Sequence, residues 1–475
     1  MRGYQCKKAL FLSFRHPELE SKPDEALRNI FEQGFEVGRY AQKEFPQGVH
    51  VNAKAWEFEE GLKITQKLLH NLSPVIFEGF FSLGNLFCRA DILVKNETGL
   101  HLIEVKSSTK VKEENLQDLA IQTHIIEGSG LKLKSISLQF LNPECRYPDL
   151  TQLFKKMDVT ESVRELAQKI PSQIEDFRDI FRTPSLAEID IGKHCDEPNE
   201  CVFKKHCWKK VPQNSVLELY RGTGWKYWEL GTSKISDLHP EELEGINLRI
   251  FEAVKEGKVF FNSPAIKQEL NSWKFPHHHL DFETLAPAIP RFHGKGPYQK
   301  VPFQYSLHVD TGQARAEEVT HFEYLHESAS DPRLEIAKRL CEEIGDEGSV
   351  IAYNMKFEGE VLQDLADFLP QYSIKLLSIK ERLKDPLPLL REHYYHPALH
   401  GSFSIKAVAP AILGESADYS KLKIPSGDLA PIRFDEMLNT KIPKKKNEIR
   451  DALLEYCAQD TFLMLKIIRY LANQG

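Results

Sequence analysis

The chain has 475 residues, a formal net charge of −7, 41% hydrophobic side chains and 28% charged side chains. Its length exceeds what one hydrophobic core usually organises, so we expect two domains with a connecting segment. No apolar run is long enough to cross a bilayer, and the N-terminus lacks a signal-peptide cleavage pattern, which predicts a cytoplasmic protein without a membrane partner.

The negative net charge argues against a uniformly basic surface. However, the carboxylates of a metal site add negative charges to the net charge, and bound cations offset those charges in the working protein. A negative net charge is therefore compatible with local basic strips. Two lysine runs are candidates for these strips or, equally, for solvated faces: Lys204, Lys205, Lys209 and Lys210, and Lys441, Lys444, Lys445 and Lys446.

The first predicted domain, residues 1–211, combines helices and strands. Helical spacing over 24–45, with Asp24 as N-cap, and over 52–72 opens it. Short apolar runs at 75–83, 86–94 and 100–108, the last two separated by a turn at 96–99, predict strands and a β-hairpin. A helix at 114–127, a strand at 135–141 and helices within 160–182 complete an α/β pattern.

The predicted hairpin carries a short acidic constellation. Asp91 lies in its first strand, and Glu104 and Lys106 share one face of the second. Such a layout holds one or two cations by the carboxylates and places the lysine to stabilise charge or orient water. Glu78, on the preceding strand, is either a further acidic ligand or an exposed strand residue.

This constellation resembles the PD-(D/E)XK nucleases, and their RecB-like members in particular. The resemblance implies a restriction-endonuclease-like fold and a catalytic set of Asp91, Glu104 and Lys106 with Mg²⁺ or Mn²⁺. RecB-like enzymes use a Gln-x-x-x-Tyr motif in the next helix. Gln117 and Gln122 lack a tyrosine at that spacing, and we assign the role to Gln122. The helical histidine that these enzymes often carry is missing.

Four cysteines form the second feature of this domain. Cys195, Cys201 and Cys207 are separated by five-residue spacers, and Cys6 lies near the start. Zinc sites favour Cys-x-x-Cys pairs, whereas four thiolates suit an iron-sulfur cluster. The pattern resembles the iron-sulfur RecB-like nucleases, namely AddB-type helicase-nucleases and the nucleases of CRISPR adaptation, which implies a 4Fe-4S cluster. Zinc, helped by His194 and His206, and unliganded thiols remain alternatives.

Residues 212–272 are predicted as a connector or small helical insertion, and residues 273–475 as a second α/β domain. That domain has strand-like runs at 303–309 and 349–354 and a final helix over 448–472. His277, His278 and His279 precede its first acidic pair. We favour a packing role over a metal-binding role for these histidines, since carboxylates suffice for a hard cation.

The second domain carries the stronger acidic set. Alternation along the strand HHHLDFETL places Asp281 and Glu283 side by side, and helical spacing puts Tyr456 and Asp460 on one face of the last helix. Adjacent carboxylates repel each other, and a shared Mg²⁺ or Mn²⁺ relieves this. Along the chain, Glu358 lies between these two motifs, shortly after a predicted strand and Asn354.

This set resembles the DEDD exonucleases, the DnaQ-like branch of the ribonuclease H-like fold. Asp281 and Glu283 match the first motif, Tyr456 and Asp460 match the Tyr-x-x-x-Asp form of the third, and Glu358 stands where the family has Asp. The resemblance implies two cations on the four carboxylates, with Tyr456 orienting the nucleophile. Asp385 and residues 393–408 resemble the nearby segment of an uncharacterised bacterial family with this domain. The resemblance implies that they contact the substrate, and packing of the aromatic residues in the core is the alternative.

Together the two resemblances predict a metal-dependent DNA nuclease, with RNA as a possible substrate, that acts in DNA repair, processing or defence. The combination resembles an uncharacterised bacterial family that fuses both nuclease types. A protein of another class stays open, namely a nucleic-acid-binding or regulatory protein in which one or both sites are inactive. Protein partners are not indicated by the sequence.

Overall fold

A computed structural model describes residues 1–182, 189–313 and 315–474. The chain divides into two units. The first contains Met1–Lys209 and Ala286–Gln299, and the second contains Lys210–Leu285 and Lys300–Gly475. Residues 212–272, predicted as a connector, therefore fall in the second unit.

The first unit has a six-stranded sheet with helices. Its strands are β1 (Val49–His50), β2 (Val75–Leu83), β3 (Leu86–Asn96), β4 (Gly99–Lys106), β5 (Leu133–Leu141) and β6 (Phe154–Asp158), in that spatial order. Its helices are α1 (Arg2–Gln5), α2 (Lys7–Arg15), α3 (Glu25–Gln42), α4 (Phe58–His70), α5 (Glu113–Gly128), α6 (Thr160–Ala167), α7 (Ile170–Asp179) and α8 (Lys204–Cys207). The predicted hairpin β3–β4 and the Asp24 N-cap of α3 are confirmed.

Both faces of this sheet are covered, because its strands carry apolar residues on both sides. On one face, Ile76, Leu93 and Leu102 pack with α5 and α6. On the other face, Ile92 and Ile103 pack with Ala41 of α3. β4 and β5 run parallel, and α5 connects them.

The second unit has a five-stranded sheet and a small two-stranded sheet. Its strands are β7 (Phe260–Phe261), β8 (His277–Leu285), β9 (Val301–Asp310), β10 (Thr320–Leu325), β11 (Ser349–Ile351), β12 (Leu383–Lys384) and β13 (Tyr394–Tyr395). The order is β10-β9-β8-β11-β12, antiparallel up to β8 and parallel beyond it, and β13 pairs with β7.

Ten helices accompany these strands within the described part of the second unit: α9 (Trp225–Glu229), α10 (Gly245–Glu256), α11 (Ser263–Asn271), α12 (Arg333–Glu343), α13 (Lys356–Phe368), α14 (Ser373–Glu381), α15 (Pro386–His393), α16 (Ile405–Leu413), α17 (Ala430–Asn439) and α18 (Pro443–Asn473). Helices α12, α13 and α14 build the core on the face of Leu280 and Phe282. Helix α18 packs against β8 and β9, and α16 and α17 pack against α18.

Polar contacts fix α18 on the sheet. The Thr461 hydroxyl lies 2.7 Å from Ser306 Oγ and 2.8 Å from His308 Nδ1, and Gln304 donates to the Leu453 carbonyl at 2.7 Å. These buried groups have partners only in this register, so they position the helix along its axis. Among the described residues, no helix has the length and apolar character needed to span a membrane.

Candidate functional site

Three carboxylates converge in the second unit. Asp281 and Glu283 share one face of the central strand β8, because Leu280 and Phe282, which alternate with them, point into the core. Oxygen atoms of Asp281, Glu283 and Asp460 lie within 4.8 Å of one another, and no other set of three such ligands was found among the described residues. The predicted approach of these carboxylates is confirmed, while their catalytic role stays a prediction.

Burial dominates the electrostatics of this carboxylate cluster. Burial raises the pKa of Asp281 and of Glu283 well above the usual range, and the Asp460 carboxylate raises both further. Burial also raises the pKa of Asp460 to about 6. The cluster therefore resists full ionisation unless a cation offsets its charge, and hard oxygen donors of this kind fit Mg²⁺ or Mn²⁺.

Two tyrosines and a lysine surround Asp460. Tyr419 donates its hydroxyl to Asp460 Oδ1, and Tyr456 hydrogen-bonds to the same carboxyl from one helical turn away. Lys406 Nζ lies 5.2 Å from the Tyr456 ring centroid and 5.4 Å from that of Tyr419, and its charge lowers the pKa of Asp460. Burial raises the pKa of both tyrosines, so both hydroxyls keep their protons at neutral pH.

Sequence reasoning missed two of these residues. Lys406 falls inside the run 393–408 but was not singled out, and no sequence signal marks Tyr419. Tyr419 reaches Asp460 through a loop whose course depends on the packing of α16 against α18. Only the fold brings these two residues to the carboxylates.

Glu358 lies in the first turn of α13, beside the cluster but outside the set of three. Its side chain is buried, and its Oε2 atom has no hydrogen-bond partner among the described residues. Burial raises its pKa to about 8, with Asp385 and Asp460 adding to the effect. A buried carboxyl without a partner fits a position that a cation or substrate completes.

Asp385 holds the local backbone. It accepts hydrogen bonds from the amides of Asn354 at 3.0 Å, Met355 at 3.2 Å and Leu387 at 2.9 Å. These bonds cap α15 and fix the residues before Glu358, among them Asn354 with a positive φ of 62°. Asp385 thus positions the approach to Glu358 rather than offering a free carboxylate.

The three histidines of β8 are buried. His277 stacks on Phe275 with ring centroids 3.9 Å apart. Burial lowers the pKa of His278 to about 4 and that of His279 well below its usual range. Neutral, enclosed imidazoles favour the predicted packing role.

A second acidic constellation lies in the first unit, where β2, β3 and β4 are adjacent. The register pairs Phe77 with Ile92 and Ile92 with Ile103, which places Glu78, Asp91 and Glu104 in one row across the three strands. Asp91 Oδ2 accepts a hydrogen bond from the Val105 amide at 2.8 Å. Burial raises the pKa of Asp91 to about 6 and that of Glu104 to about 8, and each carboxyl also feels its neighbour in the row.

Glu104 is the centre of this constellation. Its Oε1 accepts a hydrogen bond from Lys106 Nζ at 2.7 Å, and its Oε2 accepts one from Gln122 Nε2 at 2.9 Å. Lys106 also reaches Asp118 Oδ2 at 2.8 Å. The predicted residues therefore come together, and Gln122 lies in contact with Glu104. Asp118 was missed, although its four-residue spacing to Gln122 puts both on one face of α5.

Glu78 has an unusual backbone. Its φ is 56°, in the left-handed region that non-glycine residues rarely adopt, and its carboxylate pairs with Arg89 at 2.8 Å. Such a conformation costs about 1–3 kcal/mol, and it concentrates at functional sites. Burial raises the pKa of Glu78, and Arg89 opposes the rise.

A cavity of about 630 Å³ opens over this row. Its floor includes Glu78, Asp91, Glu104 and Lys106, and one wall is formed by α3. The volume suits a ligand of nucleotide size.

The four predicted cysteines also come together. Cys6, Cys195, Cys201 and Cys207 line one small cavity, and the pKa of Cys201, raised mainly by burial, is raised further by the other three. Cys6 lies between α1 and α2, and the backbone of Cys201 donates to the Cys195 carbonyl at 2.8 Å. The fold thus brings one thiol from the start of the unit to three near its end.

Comparisons with known proteins give two similarities. A domain of unknown function, DUF2779, matches residues 278–404, which include Asp281, Glu283 and Glu358. An uncharacterised protein, UU173, from Ureaplasma parvum serovar 3 (strain ATCC 700970) is 24% identical over 212 residues, 40% of this chain and 30% of the relative. The match thus spans less than a third of that relative. The chain is similar to this domain and to this protein, and neither name states an activity.

Proposed function

We propose that the protein is a metal-dependent nuclease that hydrolyses phosphodiester bonds of DNA, with RNA as a further possible substrate. The observation that carries this proposal is the convergence of Asp281, Glu283 and Asp460 within 4.8 Å, with Tyr456 one turn away on the same helix. In this proposal the second unit is a ribonuclease H-like DEDD exonuclease that acts 3′ to 5′. Its support is the Asp-x-Glu pair on β8, the central strand of the five-stranded sheet and the first of its strands along the chain.

Divalent cations held by Asp281, Glu283 and Asp460, with Glu358 completing the site, would activate water and stabilise the leaving oxygen. Tyr456, protonated at neutral pH, can donate a hydrogen bond that orients the attacking water. Lys406 places a positive charge beside the same carboxylates and can stabilise negative charge that develops on the phosphate.

We propose a second centre of the PD-(D/E)XK type in the first unit. Asp91 and Glu104, with Glu78 beside them, are the cation ligands. Lys106 would leave its contact with Asp118 or Glu104 to reach the phosphate or the water. Gln122 holds the Glu104 carboxylate in place.

We propose that Cys6, Cys195, Cys201 and Cys207 hold a 4Fe-4S cluster. A zinc ion bound at about 2.3 Å by four thiolates would bring the sulfur atoms within about 3.8 Å of one another. Among the described residues, no three cysteine sulfur atoms lie within 4.8 Å of one another, so their separations are wider than a single zinc ion requires. The support for a cluster is that all four cysteines line one cavity, since four thiolates are its usual ligands. When bound, the cluster would cross-link the two ends of the unit. The test is iron and sulfide content, with Cys201→Ala losing the visible absorption.

Cleavage of end-labelled single-stranded DNA, duplex DNA and RNA with Mn²⁺ tests the nuclease proposal. Asp281→Asn is compared with Glu455→Gln, an exposed carboxylate on α18, and Lys106→Ala with the exposed Lys110→Ala. We expect each site variant to lose one activity and each control to keep both. If wild-type protein leaves every substrate intact, the proposal is wrong, and a binding or regulatory protein takes its place. If only Lys106→Ala loses activity, the second unit is a binding module.

A further inference from the structure

Helix α3 carries exposed apolar side chains that its own core does not use. Val37 and Ala41 bury one side of the helix in the first unit. Phe31 and Phe35 lie on another side and are 48% and 61% exposed, and Ile30, two turns before Val37 on the buried side, is 59% exposed. Neither phenylalanine has a ring contact with another described aromatic residue. Exposed apolar side chains grouped in this way mark an interaction surface.

This surface is continuous with the proposed nuclease centre. Phe31, Phe35 and Arg39 line the same cavity as Asp91, Glu104 and Lys106. A ligand whose phosphate reaches Lys106 can therefore extend along α3 without leaving the cavity.

The glycines of α3 keep this wall open. A Cβ atom added to Gly34 or Gly38 would meet no atom of another part of the described structure within 4 Å. Phe31 and Phe35 are one turn apart, about 6 Å along the axis. The wall therefore offers two ring faces beside an unfilled strip, which suits flat groups.

The charge and shape of this wall indicate which class of ligand it binds. Arg39 is exposed and has no partner among the described residues, so it is available to a phosphate at the edge of the aromatic wall. A lipid surface is disfavoured, because the two rings line a cavity shared with Asp91, Glu104 and Lys106 rather than a flat apolar face.

We propose that Phe31 and Phe35 form a stacking platform for unpaired nucleobases, with Arg39 holding the adjoining phosphate. The platform directs the centre in the first unit toward single strands, since the bases of a duplex keep their faces stacked inside. The inference rests on the proposed function for the choice of nucleic acid as ligand. It adds the residues that select the strand.

The test is fluorescence anisotropy of labelled oligothymidylate and of a blunt duplex of equal length, with the full chain in EDTA so that no cleavage occurs. Phe31→Ala/Phe35→Ala should bind oligothymidylate about ten-fold more weakly or worse, at about one stacked base per ring, with duplex binding unchanged. Phe31→Trp/Phe35→Trp should retain affinity. Arg39→Ala should reduce the salt dependence of single-strand binding by about 0.7 in the log–log slope.

Ile374→Ala, an exposed apolar residue of α14 in the second unit, is the control and should bind as wild type. Wild-type affinity in the double alanine variant, or equal weakening for duplex and single strand, overturns the platform. If the wild-type protein cleaves no substrate but binds oligothymidylate through the two phenylalanines, the platform is supported and the nuclease proposal is wrong. Binding of anionic vesicles that depends on the two rings, without oligothymidylate binding, makes α3 a membrane surface and overturns the inference.

Discussion

Glu358 makes the stability of the metal-free protein depend on pH. In the folded chain this buried carboxyl keeps its proton up to a pKa of about 8, whereas its ordinary value is 4.5. Between these values the folded state binds more protons than the unfolded state, so the free energy of unfolding falls as pH rises, by at most about 1.4 kcal/mol per pH unit. We expect Glu358→Gln, melted in EDTA, to flatten this slope.

The two proteins should melt alike at the acidic end of this window, and the variant should melt higher at its alkaline end. Glu360→Gln, a half-exposed carboxylate on the same helix, is the control. Parallel pH profiles of wild type and Glu358→Gln would show that folding does not raise the pKa of Glu358.

Tyr419 is expected to tune metal affinity rather than chemistry. Its hydroxyl fixes Asp460 Oδ1, and partners that orient a metal ligand typically change affinity by about 10- to 100-fold. Tyr419→Phe should therefore bind Mn²⁺ more weakly in titration calorimetry. Tyr456→Phe should lower the cleavage rate more than the affinity, and equal affinity in Tyr419→Phe and wild type would contradict the role.

The sequence predicts which site residues lie side by side where strand alternation or helical spacing determines their positions. Alternation placed Asp281 beside Glu283, and helical spacing placed Tyr456 with Asp460. Spacing could not reveal Tyr419, because it is 41 residues from Asp460 along the chain. Long-range approaches of this kind depend on tertiary packing, which one sequence does not encode as a local pattern.

Helix α18 is the element that completes the carboxylate cluster, and Thr461 anchors it. Thr461→Val leaves Ser306 and His308 without one buried partner each, so we expect a loss of about 1–3 kcal/mol in the free energy of unfolding. Thr461→Ser keeps the hydroxyl and should lose less. Urea denaturation measures both variants, and equal stability of Thr461→Val and wild type would show that apolar packing alone holds the helix.

Elements with strong periodicity were predicted well. The strands around Asp91 and Glu104, α5 and α18 lie close to their predicted bounds. The helix predicted over 52–72 is shorter in the structure, where α4 covers only Phe58–His70. Two-residue strands such as β12 were missed, because so short a run shows no alternation, and the parallel pairing with β11 creates it.

At the scale of the whole molecule, residues 286–299 belong to the first unit. Ala288 and Ile289 pack with Val37, Leu141 and Leu153. We expect Ile289→Ala to destabilise the full chain by about 2–5 kcal/mol in urea denaturation, because it opens a cavity in that cluster. Ile30→Ala, exposed in the same unit, should change stability by less than about 0.5 kcal/mol. Similar losses in both variants would contradict the packing role.

Sequence patterning suggested two α/β regions but not this exchange of chain. A linear reading assigns every residue after 273 to one domain, because composition and periodicity do not change at 286 or 299. The role of the apolar residues in 286–299 becomes clear only from their packing against Val37 and Leu141, which the sequence pattern does not show.

The path of the chain between the two units limits how recombination can transfer either unit to another protein. The chain passes from one unit to the other at 209/210, 285/286 and 299/300. No single recombination breakpoint can then deliver either unit intact, because each is assembled from two separate stretches. The region shared with DUF2779, 278–404, carries the 286–299 stretch and stops before Asp460. Homologues that retain only that region would inherit a fragment of one unit and an unfinished carboxylate cluster from the other.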